Sequence, residues 1–273
     1  MMTIEDQTPA SFNEAMQSED SDDWRAAMDK EMESMKQNQT WDLVPAPQGK
    51  NVVGSRWVYK NKTSADGTPS SYKARLVAQG FSQKHGEDYM ETFSPVISLT
   101  GLRIFFGIAA AKRMAIHHMD ISTAYLNSTL STEIYMRQPV GYQVKRQDGQ
   151  ELVCNLKKAI YGLKQAGREW WHTISNFLIS FGLKPLETEP CLFKMRTNDA
   201  IMLLALYVDD IAIAATKADD MVKLKMALSK RFKLKDLGKI EWVLGIKVDI
   251  DQRTGNIILT QTAAIDRYWI NTE

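Results

Sequence analysis

The sequence predicts an α+β fold built on an antiparallel sheet. Three observations lead there. Helical and strand-like patterns are mixed along the 273 residues with no regular strand–helix alternation. The apolar run Ile201 to Ala215, IMLLALYVDDIAIAA, is broken only by Asp209 and Asp210. Such a run fits a tight hairpin with the two acids at its tip, at the edge of a sheet. Finally, the strand-like stretches Asn51 to Lys60 and Tyr72 to Ala78 flank an Asp66-Gly67 pair, a hairpin signal.

Read in order, Met1 to about Ser21 lacks a periodic pattern and is expected to be poorly ordered. Asp22 to Asn38 is a helix, with Trp24, Met28, Met32 and Met35 at helical spacing and acids in its first turn. The methionine stripe reads as a packing face. Pro45, Pro47 and Gly49 close this leader, and the 51–78 hairpin follows with Arg56, Lys60, Lys62, Lys73 and Arg75. These cations make either a basic flap or an ordinary solvated surface.

Ser98 or Thr100 can cap a helix through Arg113, apolar at Leu102, Phe105, Phe106 and Ala109. Short strands are expected at Ile116 to Ile121, Glu133 to Arg137 and Leu152 to Leu156. An aromatic-faced helix starts at Gly167 and stops at Gly182, before a strand at Cys191 to Met195. After the Asp-Asp hairpin, Thr216 begins a capped helix with Met221, Leu224, Leu228 and Phe232 inside. Lys217, Lys223, Lys225, Lys230, Arg231, Lys233 and Lys235 are expected on its outer face. Glu241 to Asp249 and Ile257 to Gln261 read as strands, and Ala263 to Asn271 as the start of another helix.

Composition bounds the function. Hydrophobic residues make up 44% of the chain, enough for one large or two moderate domains. Net charge is +1, yet Met1 to Met35 holds ten acids against Arg25 and Lys30, leaving 32 basic and 23 acidic residues beyond. A basic body behind an acidic leader suits contact with a polyanion, and equally a mixed soluble surface. Cys154 and Cys191 lack metal-ligand spacing, which points to reduced core thiols. The N-terminus has no secretory pattern, and the 201–215 run is too short and too acidic to cross a bilayer. A soluble intracellular protein, without a membrane partner, is expected.

Chemistry concentrates on three carboxylates. Adjacent acids repel, and desolvating them is costly without a counter-charge. Mg²⁺ relieves both, because it takes one or two carboxylates and completes its shell with water and phosphate oxygens. A solvated turn explains the doublet as well. Asp120 lies near the end of its short strand; if that strand adjoins the Tyr207 hairpin, Asp120, Asp209 and Asp210 converge and can hold two ions. His85, His117, His118 and His172 show no ligand spacing, and the His117-His118 pair reads as strand filling.

Here the text becomes recognisable. Tyr207-Val208-Asp209-Asp210 between apolar strands resembles the polymerase signature of reverse transcriptases. Nearly the whole chain resembles the reverse transcriptase domain of copia-type LTR retrotransposons. The matching blocks are Val53 to Lys60, Tyr72 to Phe81, Glu91 to Val96, Asp120 to Asn127, Glu133 to Pro139 and Ala159 to Arg168. One tetrapeptide arises easily by chance; six ordered blocks do not.

The resemblance implies a right-hand polymerase with fingers, palm and a partial thumb. It divides the chain into an acidic leader with a helix, residues 1–40, and a reverse transcriptase domain, residues 41–273. Asp120 and Asp209 would be the main ligands of two Mg²⁺ ions, or Mn²⁺ in their place, with Asp210 completing the cluster. Tyr125 matches an aromatic gate that selects dNTP over rNTP, and Gln165 a residue that positions the incoming nucleotide. Without the family, Gln165 reads as a solvent-facing loop residue. Lys73 and Arg75 match cations that contact the triphosphate, Tyr207 belongs to the substrate side, and Trp242 to Val248 matches a primer-gripping strand pair.

Implied partners are a primed RNA or DNA template, dNTPs, and the RNase H and integrase domains of a full element. The implied location is a cytoplasmic virus-like particle and the nucleus. Glu273 falls early in the thumb, which is expected to be truncated. Two rival readings share the features: a catalytically inactive remnant that binds nucleic acid, and a two-metal nuclease.

Overall fold

The computed structural model describes residues 8–63, 69–197, 199–251, 253–262 and 265. The Asp66-Gly67 loop and, apart from Ile265, the helix-like stretch from Ala263 lie outside them.

The chain begins with two helices, α1 (Phe12–Gln17) and α2 (Ser21–Gln37). Four strands follow: β1 (Trp41–Pro45), β2 (Val52–Val53), β3 (Ser55–Thr63) and β4 (Pro69–Ala78). Next come α3 (Leu99–Ala111), β5 (Ala115–Ile121), β6 (Thr129–Arg137), β7 (Leu152–Lys158) and α4 (Ala166–Phe181). The last stretch holds β8 (Lys184–Pro185), β9 (Leu192–Arg196), β10 (Ile201–Tyr207), β11 (Asp210–Ala215) and α5 (Ala218–Arg231). It ends with β12 (Leu234–Lys239), β13 (Trp242–Val243), β14 (Ile246–Ile250) and β15 (Ile257–Thr260).

These elements fall into two compact units, Met1–Phe93 with Tyr125–Trp170, and Ser94–Ala124 with Trp171–Glu273. The first contains the sheet β1-β7-β6-β2 and the β3–β4 hairpin. Its core joins Ala15, Trp24, Met28 and Met35 of the helices to Trp57, Tyr59 and Leu76 of the hairpin and to Ile134, Met136 and Leu156. Trp24 stands edge-on to Tyr59 and Tyr72, with ring centroids 5.1 and 4.7 Å away. The second unit contains the six-stranded sheet β12-β5-β11-β10-β9-β8 and the three-stranded β13-β14-β15. Its sheet strands pair antiparallel throughout.

The helix expectations hold within about two residues, and several others are corrected. The first hairpin strand, expected at Asn51 to Lys60, is Ser55–Thr63, because Val52–Val53 leaves it to pair parallel with β6; its partner starts at Pro69 rather than Tyr72. Of the Met1 to Ser21 stretch expected to be poorly ordered, residues 1–7 lie outside the described residues, and the rest contains α1: Ser11 accepts the Glu14 N–H at 3.2 Å, capping that helix, and Ala15 enters the core. Thr216 does not cap α5. Its hydroxyl accepts the Ile201 N–H at 3.0 Å and so closes the β10–β11 pair, and the helix starts at Ala218 without a side-chain cap. The helix stops at Arg231, so Lys233 lies past its end and Lys235 lies in β12. The run from Glu241 to Asp249 is a hairpin rather than one strand. Leu244 and Gly245 both take positive φ, 50° and 76°, as a two-residue type I′ turn requires. The helix expected through Arg113 ends at Ala111, and Arg113 takes a φ of 50°.

Both cysteines are buried, and burial pushes their thiols up to about 12, as inert core residues. Among the described residues no helix is long and apolar enough to cross a membrane.

Candidate active site

The apolar run of the sequence becomes the centre of the six-stranded sheet. Met202 to Leu206 and Ile211 to Ala215 are buried because β10 and β11 are interior strands, covered on both faces. The acidic doublet sits at the tip of a tight hairpin, as expected from sequence, and the two strands that carry it are interior strands of the sheet. Tyr207 opposes Asp210, which leaves Val208 and Asp209 as a two-residue turn. Val208 takes φ 52°. Positive φ at the first turn position alone is the type II′ pattern, usually filled by glycine. A β-branched residue there stores roughly 1–3 kcal/mol of strain, a feature that gathers at functional sites.

β5 runs beside β11, and Asp120 is the direct cross-strand partner of Asp210. The Ile121 N–H donates to the Asp209 carbonyl at 2.8 Å, tying the turn to the end of β5. The acid at 120 and the doublet at 209–210, remote in sequence, thus meet in one unit. On the other flank of β5, Lys235 of β12 opposes Asp120. Directly opposed residues of an antiparallel pair share a face, so two carboxylates and one ammonium-bearing residue lie side by side.

His118, two residues before Asp120, shares that face. Its Nε2–H donates to Asp210 Oδ1 at 2.9 Å, with the histidine 13% exposed and the aspartate 32%. His117 points to the opposite face, where its Nδ1 lies 2.7 Å from Lys225 Nζ. Lys225 also donates to both oxygens of Asp236 at 2.8 Å. Burial, then the Lys225 charge, holds His117 below its usual value. The two histidines expected to be mere filling have distinct polar partners.

The three aspartates offer only oxygen donors, the set that Mg²⁺ and Mn²⁺ take. That chemistry and the shared face of Asp120 and Asp210 fit a divalent ion. Among the described residues, no three His, Cys, Asp or Glu groups stand close enough to form a ready-made metal cage.

Lys73, Arg75, Tyr125 and Gln165 belong to the other unit, whereas Trp242 to Val248 lies in the unit of the aspartates. Tyr125 packs edge-on to Tyr161, ring centroids 4.7 Å apart, and the Arg75 guanidinium lies over the same Tyr161 ring at 4.9 Å. Lys73 and Arg75 alternate along β4 with buried Ala74 and Leu76. On the open edge of β4, the Leu76 N–H donates to Glu31 Oε1 at 3.3 Å. Burial raises the Glu31 carboxyl, and the Leu76 N–H, Arg75 and Lys73 oppose that rise.

Gln165 is 3% exposed, contrary to the loop reading of the bare sequence. Its oxygen accepts from Gln83 at 3.0 Å, and its amide donates to the Asp88 carbonyl at 2.8 Å and to Thr132 Oγ1 at 3.3 Å. Gln165 also lines a small cavity of about 210 Å³ with Tyr89, Thr132 and Arg168.

Comparison with known proteins decides the family. A family model described as reverse transcriptase (RNA-dependent DNA polymerase) matches residues 38–271. The chain belongs to the reverse transcriptase family. It is 38% identical over 268 residues, 98% of its length, to the retrovirus-related Pol polyprotein from transposon TNT 1-94 of Nicotiana tabacum, covering 20% of that protein. It is 42% identical over 237 residues to the Pol polyprotein from transposon RE2 of Arabidopsis thaliana, covering 85% of the chain and 16% of the relative. Transposon Ty1-LR2 Gag-Pol polyprotein of Saccharomyces cerevisiae is 29% identical over 231 residues, 82% of the chain and 12% of the relative. The chain thus spans a fifth or less of the length of these polyproteins.

In this reverse transcriptase chain, sequence reasoning overlooked two neighbours of the acids. His118 had a readable signal, since a residue two before Asp120 on a strand shares its face. Lys235 had none, because its placement depends on a helix ending at Arg231 and a strand returning beside β5.

Proposed function

We propose that this chain is the RNA-directed DNA polymerase domain of a copia-type element, extending a primer 3′-hydroxyl with dNTPs on an RNA or DNA template. The observation that carries the reading is the register that sets Asp120 opposite Asp210, with Asp209 in the adjoining turn. Asp120 and Asp209 would hold two Mg²⁺ ions, or Mn²⁺ in their place, and Asp210 would complete the acidic cluster. When bound, such ions lower the pKa of the primer hydroxyl and neutralise charge on the triphosphate.

The chain's own groups bind and orient. Lys73 and Arg75 on the β3–β4 hairpin take the triphosphate, and Tyr207, 37% exposed, lies beside the acids on the substrate side. Tyr125, braced by Tyr161, places a ring under the sugar and excludes a 2′-hydroxyl. Gln165 positions the nucleotide from a fixed rotamer, because both ends of its amide are engaged. In this right-hand polymerase reading, the hairpin belongs to the fingers, the six-stranded sheet to the palm, and β13–β14 grips the primer at the entry to the thumb. The acidic leader of residues 1–40 precedes the polymerase domain of residues 41–273. RNase H and integrase of the full element, a cytoplasmic particle and the nucleus complete the setting.

Primer extension on a labelled primer–template with Mg²⁺ tests the proposal. Asp120→Asn and Asp209→Asn each reduce extension by about a hundredfold or more, equivalent to ~3 kcal/mol of transition-state stabilisation. Parent-like extension by both variants would remove the metal-ligand assignment. Salt-sensitive binding of the duplex with no extension by the parent would replace it with a non-catalytic nucleic-acid binder.

A further inference from the structure

Asp120 and Asp210 face each other across adjacent strands, an arrangement in which like charges destabilise a sheet. The described residues offer these two carboxylates different surroundings. Asp120 makes no side-chain hydrogen bond or ion pair among the described residues, whereas Asp210 has one oxygen committed to His118. A carboxylate only accepts, so His118 must carry its proton on Nε2. The bond runs diagonally, because His118 itself opposes Ala212 in the register. His118 is nearly buried, and its rotamer is restricted by its place in an interior strand.

From this geometry we infer that His118 is a positioning residue for the metal site. It fixes the Asp210 carboxylate through Oδ1, sets its plane, and leaves Oδ2 as the oxygen for an ion. The inference rests on the reading of Asp120, Asp209 and Asp210 as metal ligands, and adds a residue that touches neither ion nor substrate. Ligating carboxylates are commonly held by such outer hydrogen bonds, and loss of the donor costs roughly 10–100-fold in metal affinity. The physical reason is entropic. An unheld carboxylate samples several χ rotamers, and binding must then freeze it.

Mn²⁺ binding by the full chain, followed by loss of the free-ion electron paramagnetic resonance signal, gives a readout independent of polymerisation. Four proteins are compared: the parent, Asp120→Asn, His118→Leu and His118→Gln. Leucine fills the histidine's space without a donor, and glutamine places an amide N–H near the position of Nε2. We expect His118→Leu to bind Mn²⁺ about tenfold more weakly and His118→Gln to stay within about twofold of the parent. A role confined to packing would move the thermal midpoint but would not be rescued by glutamine in Mn²⁺ affinity. If Asp120→Asn loses Mn²⁺ while His118→Leu binds like the parent, or if glutamine is as weak as leucine, the inference is overturned and the metal reading stands. If Asp120→Asn binds like the parent, the metal reading fails and the role of His118 goes with it.

Discussion

Glu31 shows how one side chain ties the leader to the hairpin that carries Lys73 and Arg75. It occupies the open edge of β4, where an unpaired strand N–H would otherwise face the helix. Because burial raises its carboxyl, the native state binds a proton more readily than the unfolded chain does. Its contribution to stability is complete below the ordinary carboxylate range and declines as pH rises through the raised value. Glu31→Gln keeps an oxygen for the Leu76 N–H and has no charge to desolvate. Thermal unfolding is expected to give equal midpoints for parent and variant near about pH 4, and a higher midpoint for the variant near neutrality. A lower midpoint for the variant at neutral pH would mean that the attraction of the Arg75 and Lys73 charges outweighs the cost of burial instead.

At the scale of elements, α2 is part of the first unit's core. Trp24 is 1% exposed and wedged between Tyr59 and Tyr72 of the hairpin strands. Trp24→Ala should cost about 3–5 kcal/mol in chemical denaturation, as for other buried aromatics. A loss below about 1 kcal/mol would show that α2 is a dispensable cover. The helix itself was legible, because Trp24, Met28, Met32 and Met35 recur at helical spacing. The short elements were not: α1 depends on one serine cap, and the β13–β14 turn on positive φ at Leu244 beside Gly245. The end of α5 was obscured because Lys233 and Lys235 continue a helical charge pattern that the backbone abandons at Phe232. A charge pattern does not stop a helix, and tertiary pairing of β12 with β5 does.

Across the whole molecule, the acidic leader and the basic remainder read in composition map onto a chain whose first helices pack in a polymerase-family domain. The candidate site was legible as residue types: Asp120 and the 209–210 doublet were identifiable from their strand contexts. Their meeting was not, because strand order in a sheet is set by long-range pairing that no local pattern encodes. The register of β5 on β11 supplies it. The most direct measurement of an ion shared by these acids is anomalous scattering from crystals of the chain grown with Mn²⁺, a primer–template and a dNTP. The account predicts a peak roughly 2 Å from carboxylate oxygens of both Asp120 and Asp209. Full Mn²⁺ occupancy elsewhere, with none bridging residues 120 and 209, would contradict it.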